Sequence, residues 1–149
     1  MSLEPDYESF IGLNLLEGLD LSHNNLASMP AGLFCPLVNI VMVNVSHNIL
    51  VDLEHLGLSH RGDFKCNVSV ESLIVTNNGL RTITPGALAS LHKLKVLDFS
   101  RNEVGVLVED AFKGLAQLEK LDASHNRLAA LPPKIFRFEH TDVNYTYTS

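Results

Sequence analysis

The stretch LEGLDLSHNNL at residues 16–26 decides the fold, because its pattern returns four more times along the chain. The later copies are IVMVNVSHNIL at 40–50, VESLIVTNNGL at 70–80, LKVLDFSRNEV at 94–104 and LEKLDASHNRL at 118–128. In every copy, apolar residues occupy the first, fourth, sixth and eleventh positions, and an asparagine occupies the ninth. These asparagines are spaced by 24, 30, 24 and 24 residues, a period that predicts a solenoid with one coil per copy.

The pattern resembles the consensus of leucine-rich repeats, which implies an α/β repeat fold. Within the first copy, Leu19 and Leu21 should point into the core and Asp20 to solvent, because alternate strand residues face opposite sides. Successive strands should then form a parallel β-sheet on the concave face. Prolines such as Pro30 and Pro132 predict loops, turns or short helices on the convex face.

The repeated asparagine is predicted to be structural. Its side-chain amide offers both donors and an acceptor, which can satisfy backbone groups buried at the turn after each strand. Stacked from coil to coil, these side chains should form an asparagine ladder made of Asn24, Asn48, Asn78, Asn102 and Asn126.

The domain organisation follows from the same period. Residues 16–136 hold five repeats, and the repeat at about 40–69 is six residues longer than the others. Residues 1–15 are interpreted as the end of a truncated upstream repeat, because apolar residues close that segment at intervals of three. Residues 137–149 lack the leucine pattern and are predicted to be a non-repeat tail that is a candidate for disorder. We therefore expect a piece of a longer solenoid.

Charge and motifs exclude several function classes. The net charge is −6 and no cluster of Lys and Arg occurs, which argues against nucleic acid as a partner. No run of 18 apolar residues occurs, so this piece is not expected to span a membrane. The chain has no phosphate-binding loop, no nucleophile elbow and no zinc-ligand spacing. We expect no enzyme activity, no cofactor and no metal site.

The two cysteines, Cys35 and Cys66, flank the long repeat and should lie in neighbouring coils. A disulfide between them would fasten the long loop. The alternative is two unrelated buried thiols, because free cysteine is often a core residue.

Three Asn-x-Ser/Thr triplets, at Asn44, Asn67 and Asn144, are acceptor sites for N-glycosylation in a secreted protein. Asn67 lies in the long loop and is the best candidate. Asn44 should project from the concave face, where a glycan would deny space to a ligand.

The exposed strand positions form the candidate binding surface. Among them Val41, Met42 and Ile74 make an apolar spot within a polar rim, which is the usual anatomy of a protein-binding patch. Scattered apolar residues are also normal on surfaces. The residues that we select for concave binding are Asp20, His23, Val41, Met42, Asn44, Ile74, Asp98, Arg101, Asp122 and His125.

Histidine recurs just before the asparagine, at His23, His47 and His125. Imidazoles there could form a pH-sensitive edge. The alternative is a solvated consensus position. A closed metal site is disfavoured, because these residues should lie along a flat row rather than converge.

The stretch LFCPLVNIVMVNVSHNILVDLEHLGL at 33–58, followed by Cys66, carries a more specific resemblance. A Phe-Cys pair before a lengthened repeat that ends in another cysteine resembles the ectodomains of invertebrate Toll receptors, within the Toll-like receptor family. The resemblance covers about 16–136. It implies a place on the extracellular side of the plasma membrane, a protein or microbial ligand, homodimerisation of the full-length receptor, and a role in innate immunity or development.

Two other readings stay open. Arg61-Gly62-Asp63 is the integrin-recognition tripeptide, so the chain could be a cell-adhesion or extracellular-matrix module. It could also be an intracellular leucine-rich adaptor. The redox state of the two cysteines separates an extracellular from an intracellular protein.

Overall fold

The computed structural model describes residues 8–58, 66–136 and 143–147. Its strands are β1 (Gly18–Asp20), β2 (Met42–Asn44), β3 (Ser72–Ile74), β4 (Val96–Asp98), β5 (Lys120–Ala123) and β6 (Asn144–Tyr147). They form one parallel sheet in the order β1-β2-β3-β4-β5-β6. Each coil places its strand beside the strand of the preceding coil. The predicted leucine-rich-repeat solenoid with a parallel sheet is therefore confirmed.

The core lies inside the coils, between the sheet and the convex turns. The central residues of the first five strands share one register and are Leu19, Val43, Leu73, Leu97 and Leu121. Four of them are buried, whereas Leu19 is half-buried in the first strand of the sheet. Phe34 and Phe112 fill the core from the convex side with no exposed surface. Each buried side chain of this size contributes about 1.5–3 kcal/mol to folding.

Turns connect the strands on the convex face. The Leu91 amide donates to the Leu88 carbonyl at 2.9 Å, and the Leu94 amide donates to the Leu91 carbonyl at 3.0 Å. These bonds recur at every third residue and match the spacing of the leucines. The convex face consists of turns in the described residues, one of the forms that the prolines predicted, and Gly86 takes a φ of +86° within one of these turns. Among these residues, no helix is long and apolar enough to cross a membrane.

The strand β6 lies in the segment that we assigned to a non-repeat tail. Asn144–Tyr147 pairs with β5 in parallel, and the Asn144 amide donates to the Glu119 carbonyl at 2.9 Å. Tyr145 takes the register position that Leu121 holds in β5, and its ring packs 5.2 Å from the ring of Phe136. Aromatic residues thus replace the repeat's leucines, which is why the leucine pattern does not reveal this strand.

Candidate binding surface

Two rows of side chains run across the concave face, perpendicular to the strands. The first row consists of Gly18, Met42, Ser72, Val96, Lys120 and Asn144. The second row consists of Asp20, Asn44, Ile74, Asp98, Asp122 and Thr146. Neighbouring members of a row are one strand apart, about 4.8 Å. The sheet therefore gathers most of the predicted binding residues on one surface.

Behind this surface, the asparagine ladder fastens each coil to the one before it. The Asn48 side chain donates through Nδ2 to the Leu21 and Val45 carbonyls, at 3.0 and 2.9 Å. Its Oδ1 accepts from the Leu26 amide at 3.0 Å. Asn24, in the first coil, is exposed and donates to carbonyls of its own turn. The later members that repeat the inter-coil bonds are Asn78, Asn102 and Asn126.

The acidic residues of the second row have a structural role that we did not predict. Oδ1 of Asp20 accepts from the Ser22 amide at 2.9 Å, and Asp98 and Asp122 accept in the same way from the residues two positions on. Oδ1 of Asn44 accepts from both the amide and the hydroxyl of Ser46, at 3.0 and 2.7 Å. These side chains close the turns that follow β1, β2, β4 and β5. The repeated Asp-x-Ser triplet was a visible sequence signal for this role.

Hydrogen bonding also sets the ionisation of two of these carboxylates. Bonds from the Ser22 side chain and backbone hold the pKa of Asp20 below its usual value. At Asp122, burial acts to raise the pKa, but hydrogen bonds from Ser124 and Thr146 outweigh it, and the net pKa is lowered. Both groups are therefore firmly ionised near neutral pH.

The centre of the surface is apolar. Val41 and Met42 are 39% and 51% exposed, and Ile74 and Val96 are half-buried. A Cβ atom added to Gly18 would lie 3.8 Å from the Cε atom of Met42, so the Met42 side chain extends over the bare backbone of β1. The structure thus leaves the predicted apolar residues at least partly exposed on neighbouring strands and adds Val96, on the strand after that of Ile74.

The edge that holds the histidines is built from strained backbone. The rings of His23 and His47 stack with centroids 4.1 Å apart, and Nδ2 of Asn77 lies 3.5 Å from Nε2 of His47. These three residues, together with Arg101 and His125, have φ between +50° and +57°. For residues other than glycine, this conformation costs about 1–2 kcal/mol. In the described part of the chain, no group of three His, Cys, Asp or Glu could hold a metal ion.

Cys35 and Cys66 form a disulfide in the structure, with their Cα atoms 4.9 Å apart and both residues buried. Asn67, next to this bond, is exposed, as is Asn144, whereas Asn44 is half-buried in the second row. The Arg61-Gly62-Asp63 tripeptide lies outside the described residues.

Comparisons with known proteins place the chain among repeat proteins of several kinds. It is 31% identical over 123 residues to "Toll-like receptor 7" of Drosophila melanogaster, covering 79% of this chain and 8% of that protein. It is 27% identical to the rat "Leucine-rich repeat-containing G-protein coupled receptor 5" and 34% identical to "Adenylate cyclase" of Schizosaccharomyces pombe. These matches cover 85% and 76% of this chain, but 13% and 6% of those proteins. The chain therefore spans a small part of these relatives.

Solved structures show the same fold. The structure of the Toll–Spatzle complex from Drosophila matches with a TM-score of 0.76 and 22% identity, over 89% of this chain and 17% of that one. The TLR13–ssRNA13 complex matches with a TM-score of 0.75 and 23% identity, over 97% and 20%. The chain is thus a repeat module similar to Toll-like receptor ectodomains. Because the Leucine rich repeat family matches residues 6–50 and 68–128, the chain belongs to the leucine-rich repeat family.

Proposed function

We propose that this chain is part of the ectodomain of a Toll-type receptor and that its concave sheet binds a protein or microbial ligand on the extracellular side of the plasma membrane. The observation that carries the binding role is the apolar centre of the concave face. Met42 and Val41 remain exposed there although the surrounding rows are polar. An apolar centre within a polar rim is the anatomy of a protein interface.

Two features support an extracellular place. The Cys35–Cys66 disulfide would persist in an oxidising compartment. Asn67 is an exposed glycosylation acceptor beside that bond. The role in innate immunity or development, and homodimerisation of the full-length receptor, rest on the resemblance of the long repeat to Toll receptors and on the 31% identity to the fly Toll-like receptor.

Nucleic acid is a weaker candidate ligand. The solved TLR13 complex contains ssRNA13, which runs against our expectation that nucleic acid is not a partner. That structure is 23% identical to this chain, however, and the likeness therefore supports the fold alone. This chain carries a net charge of −6, and three of the six residues in the second row are acidic. Phosphate backbones bind mainly through Lys and Arg, so the charge of this chain favours a protein ligand.

An intracellular adaptor is the second candidate, favoured by the 34% identity to the yeast adenylate cyclase. Thiol titration of protein recovered from its native source distinguishes the receptor ectodomain from the intracellular adaptor. An oxidised Cys35–Cys66 pair supports the receptor, whereas two free thiols support the adaptor.

The binding role is tested with phage-displayed random peptides selected on the chain, which is produced in a bacterial periplasm so that the disulfide forms. The selected peptides are then measured on two variants. Ser72→Arg places a long side chain at the centre of the first row, whereas Ala116→Arg adds the same side chain at an exposed position before β5. We expect Ser72→Arg to abolish binding and Ala116→Arg to leave it unchanged. Peptides that bind both variants equally would refute the concave site.

A further inference from the structure

We infer that the segment bound at the concave centre carries an apolar side chain next to a basic one. This inference rests on the proposed function and specifies the partner's chemistry. The apolar side chain packs on the central patch, which we define as Val41, Met42, Ile74 and Val96. The basic side chain reaches Asp98, which lies directly beside Ile74 in the register of β3 and β4.

The first support is the departure of Ile74 from the repeat. At the same position in the other repeats, Asp or Asn closes the following turn by accepting a backbone hydrogen bond. Isoleucine has no side-chain acceptor, so β3 gives up this bond and presents an apolar group at the concave face instead. The strand preference of a β-branched side chain is the gain that Ile74 offers the fold itself, and the buried neighbour Leu73 already anchors this strand in the core. Ile74 is therefore best explained by contact with a partner.

The second support is the order of residues in the patch. Ser72 lies between Met42 and Val96 in the first row, one strand from each. Its side chain is shorter than those of these two apolar neighbours. Ile74 stands two residues further along the same strand and therefore on the same face. These positions place three apolar side chains around a short one, which favours an apolar side chain on the partner.

The third support is charge. Asp98 is half-buried, and its bond to the Ser100 amide uses Oδ1. Asp122 lies one strand further on in the second row, and that row contains no basic residue. The nearby Lys95 is already paired, because its Nζ lies 3.1 Å from Glu71. Lys120 lies beside Val96 in the first row, where it partly offsets the charge of Asp122. Asp98 and Asp122 still outnumber it, so the net charge beside the patch is negative, which favours a Lys or Arg on the partner and disfavours an acidic one.

Two variants test these contacts without disturbing the fold. Ile74→Asn and Asp98→Asn both introduce the residue that β2 already carries at this position, as Asn44, so each can keep the turn after its strand. Val106→Asn, at a position 71% exposed outside the concave rows, is the control. Periplasmic production avoids glycosylation of the Asn-x-Ser/Thr triplets that the first two changes create. Equal unfolding midpoints verify that the variants fold.

The same selected peptides provide the measurement. We expect them to share an apolar residue within about three positions of a Lys or Arg, the reach of a short extended segment. Ile74→Asn should weaken their binding at least about tenfold and Asp98→Asn about threefold, the scale of a partly exposed ion pair. Val106→Asn should have no effect, and added salt should weaken wild-type binding more than Asp98→Asn binding.

The outcomes distinguish a failure of this inference from a failure of the proposed concave binding site. Peptides that lose binding on Ser72→Arg but bind Ile74→Asn and Asp98→Asn normally would overturn this inference and leave the concave site standing. Peptides that lack a basic residue would overturn it as well. Peptides insensitive to Ser72→Arg, or no enrichment at all, would count against both the inference and the proposed function.

Discussion

The imidazole rings of His23 and His47 stack at the edge of the concave sheet, with their planes inclined by only 10°. Both rings are exposed, and each belongs to a residue in the left-handed conformation. The stack therefore joins the turns of the first two coils through their side chains.

Asp122 should make stability depend on pH. Its pKa is lowered in the folded chain from the usual 3.8, so its contribution is complete above 3.8 and is lost as the pH falls through the lower folded value. We expect Asp122→Asn, which keeps an acceptor for the Ser124 amide, to be less stable than wild type at pH 6 and closer to it at pH 2. Urea midpoints at the two pH values measure the difference. A gap that widens in acid would contradict the prediction.

Asn102 should be far more important than Asn24 for stability. Oδ1 of Asn102 accepts from the Leu80 and Asn78 amides, and Nδ2 donates to the Val75 carbonyl. Asn102→Leu should cost about 1–3 kcal/mol for each buried group left unpaired. Asn24→Leu, at an exposed position, should cost much less. Chemical denaturation of both variants measures the free energies of unfolding, and similar losses would contradict a ladder that works between coils.

The disulfide should stabilise the second coil of the solenoid, which carries β2. Cys35 and Cys66 are 31 residues apart, so the bond should contribute about 3–4 kcal/mol by restricting the unfolded chain. Reduction should lower the unfolding midpoint of the wild type and leave Cys35→Ala/Cys66→Ala unchanged. A wild-type midpoint that is indifferent to reductant would show that the bond contributes nothing.

Glycosylation should favour Asn67 over Asn44 in a eukaryotic secretory host. Asn67 is exposed, whereas Asn44 is half-buried and its side chain already accepts two hydrogen bonds from Ser46. Intact-mass measurement before and after enzymatic glycan removal should show a glycan that Asn67→Gln eliminates. Asn44→Gln is the matched control and should change the glycan mass little. Full occupancy at Asn44 with an empty Asn67 would reverse this ranking.

Much of this structure could be predicted because the repeat has a strict period. The position of Leu73 or Leu97 within its copy indicates a strand, its inward face and its register with the neighbouring coils. The asparagine at a fixed distance after each strand likewise indicates a polar side chain among buried backbone groups. Such patterns depend only on the alternation of side chains along a strand and on the turn that follows it. Because the repeat has a constant period, the same strand and turn recur in each coil.

What could not be predicted depends on contacts that the period does not encode. The strand β6 pairs with β5 and packs Tyr145 on Phe136, an aromatic contact that no leucine pattern signals. The stacking of His23 on His47 depends on side-chain orientation within the turn. The turn bond of Asp98 was visible as a triplet but is easily taken for a free surface acid. Ile74 occupies the position that Asp20, Asp98 and Asp122 hold in other repeats. Its proposed contact with a partner is indicated only by this difference.

The bond between Cys35 and Cys66 also has a mechanical consequence. A solenoid pulled from its two ends can lengthen by peeling off one coil after another, since each coil contacts only its neighbours. The 31-residue span between the two sulfurs cannot lengthen in this way while the bond is intact. About 100 Å of contour is thereby withheld under tension, so the second coil, which carries β2, acts as an inextensible segment of the solenoid.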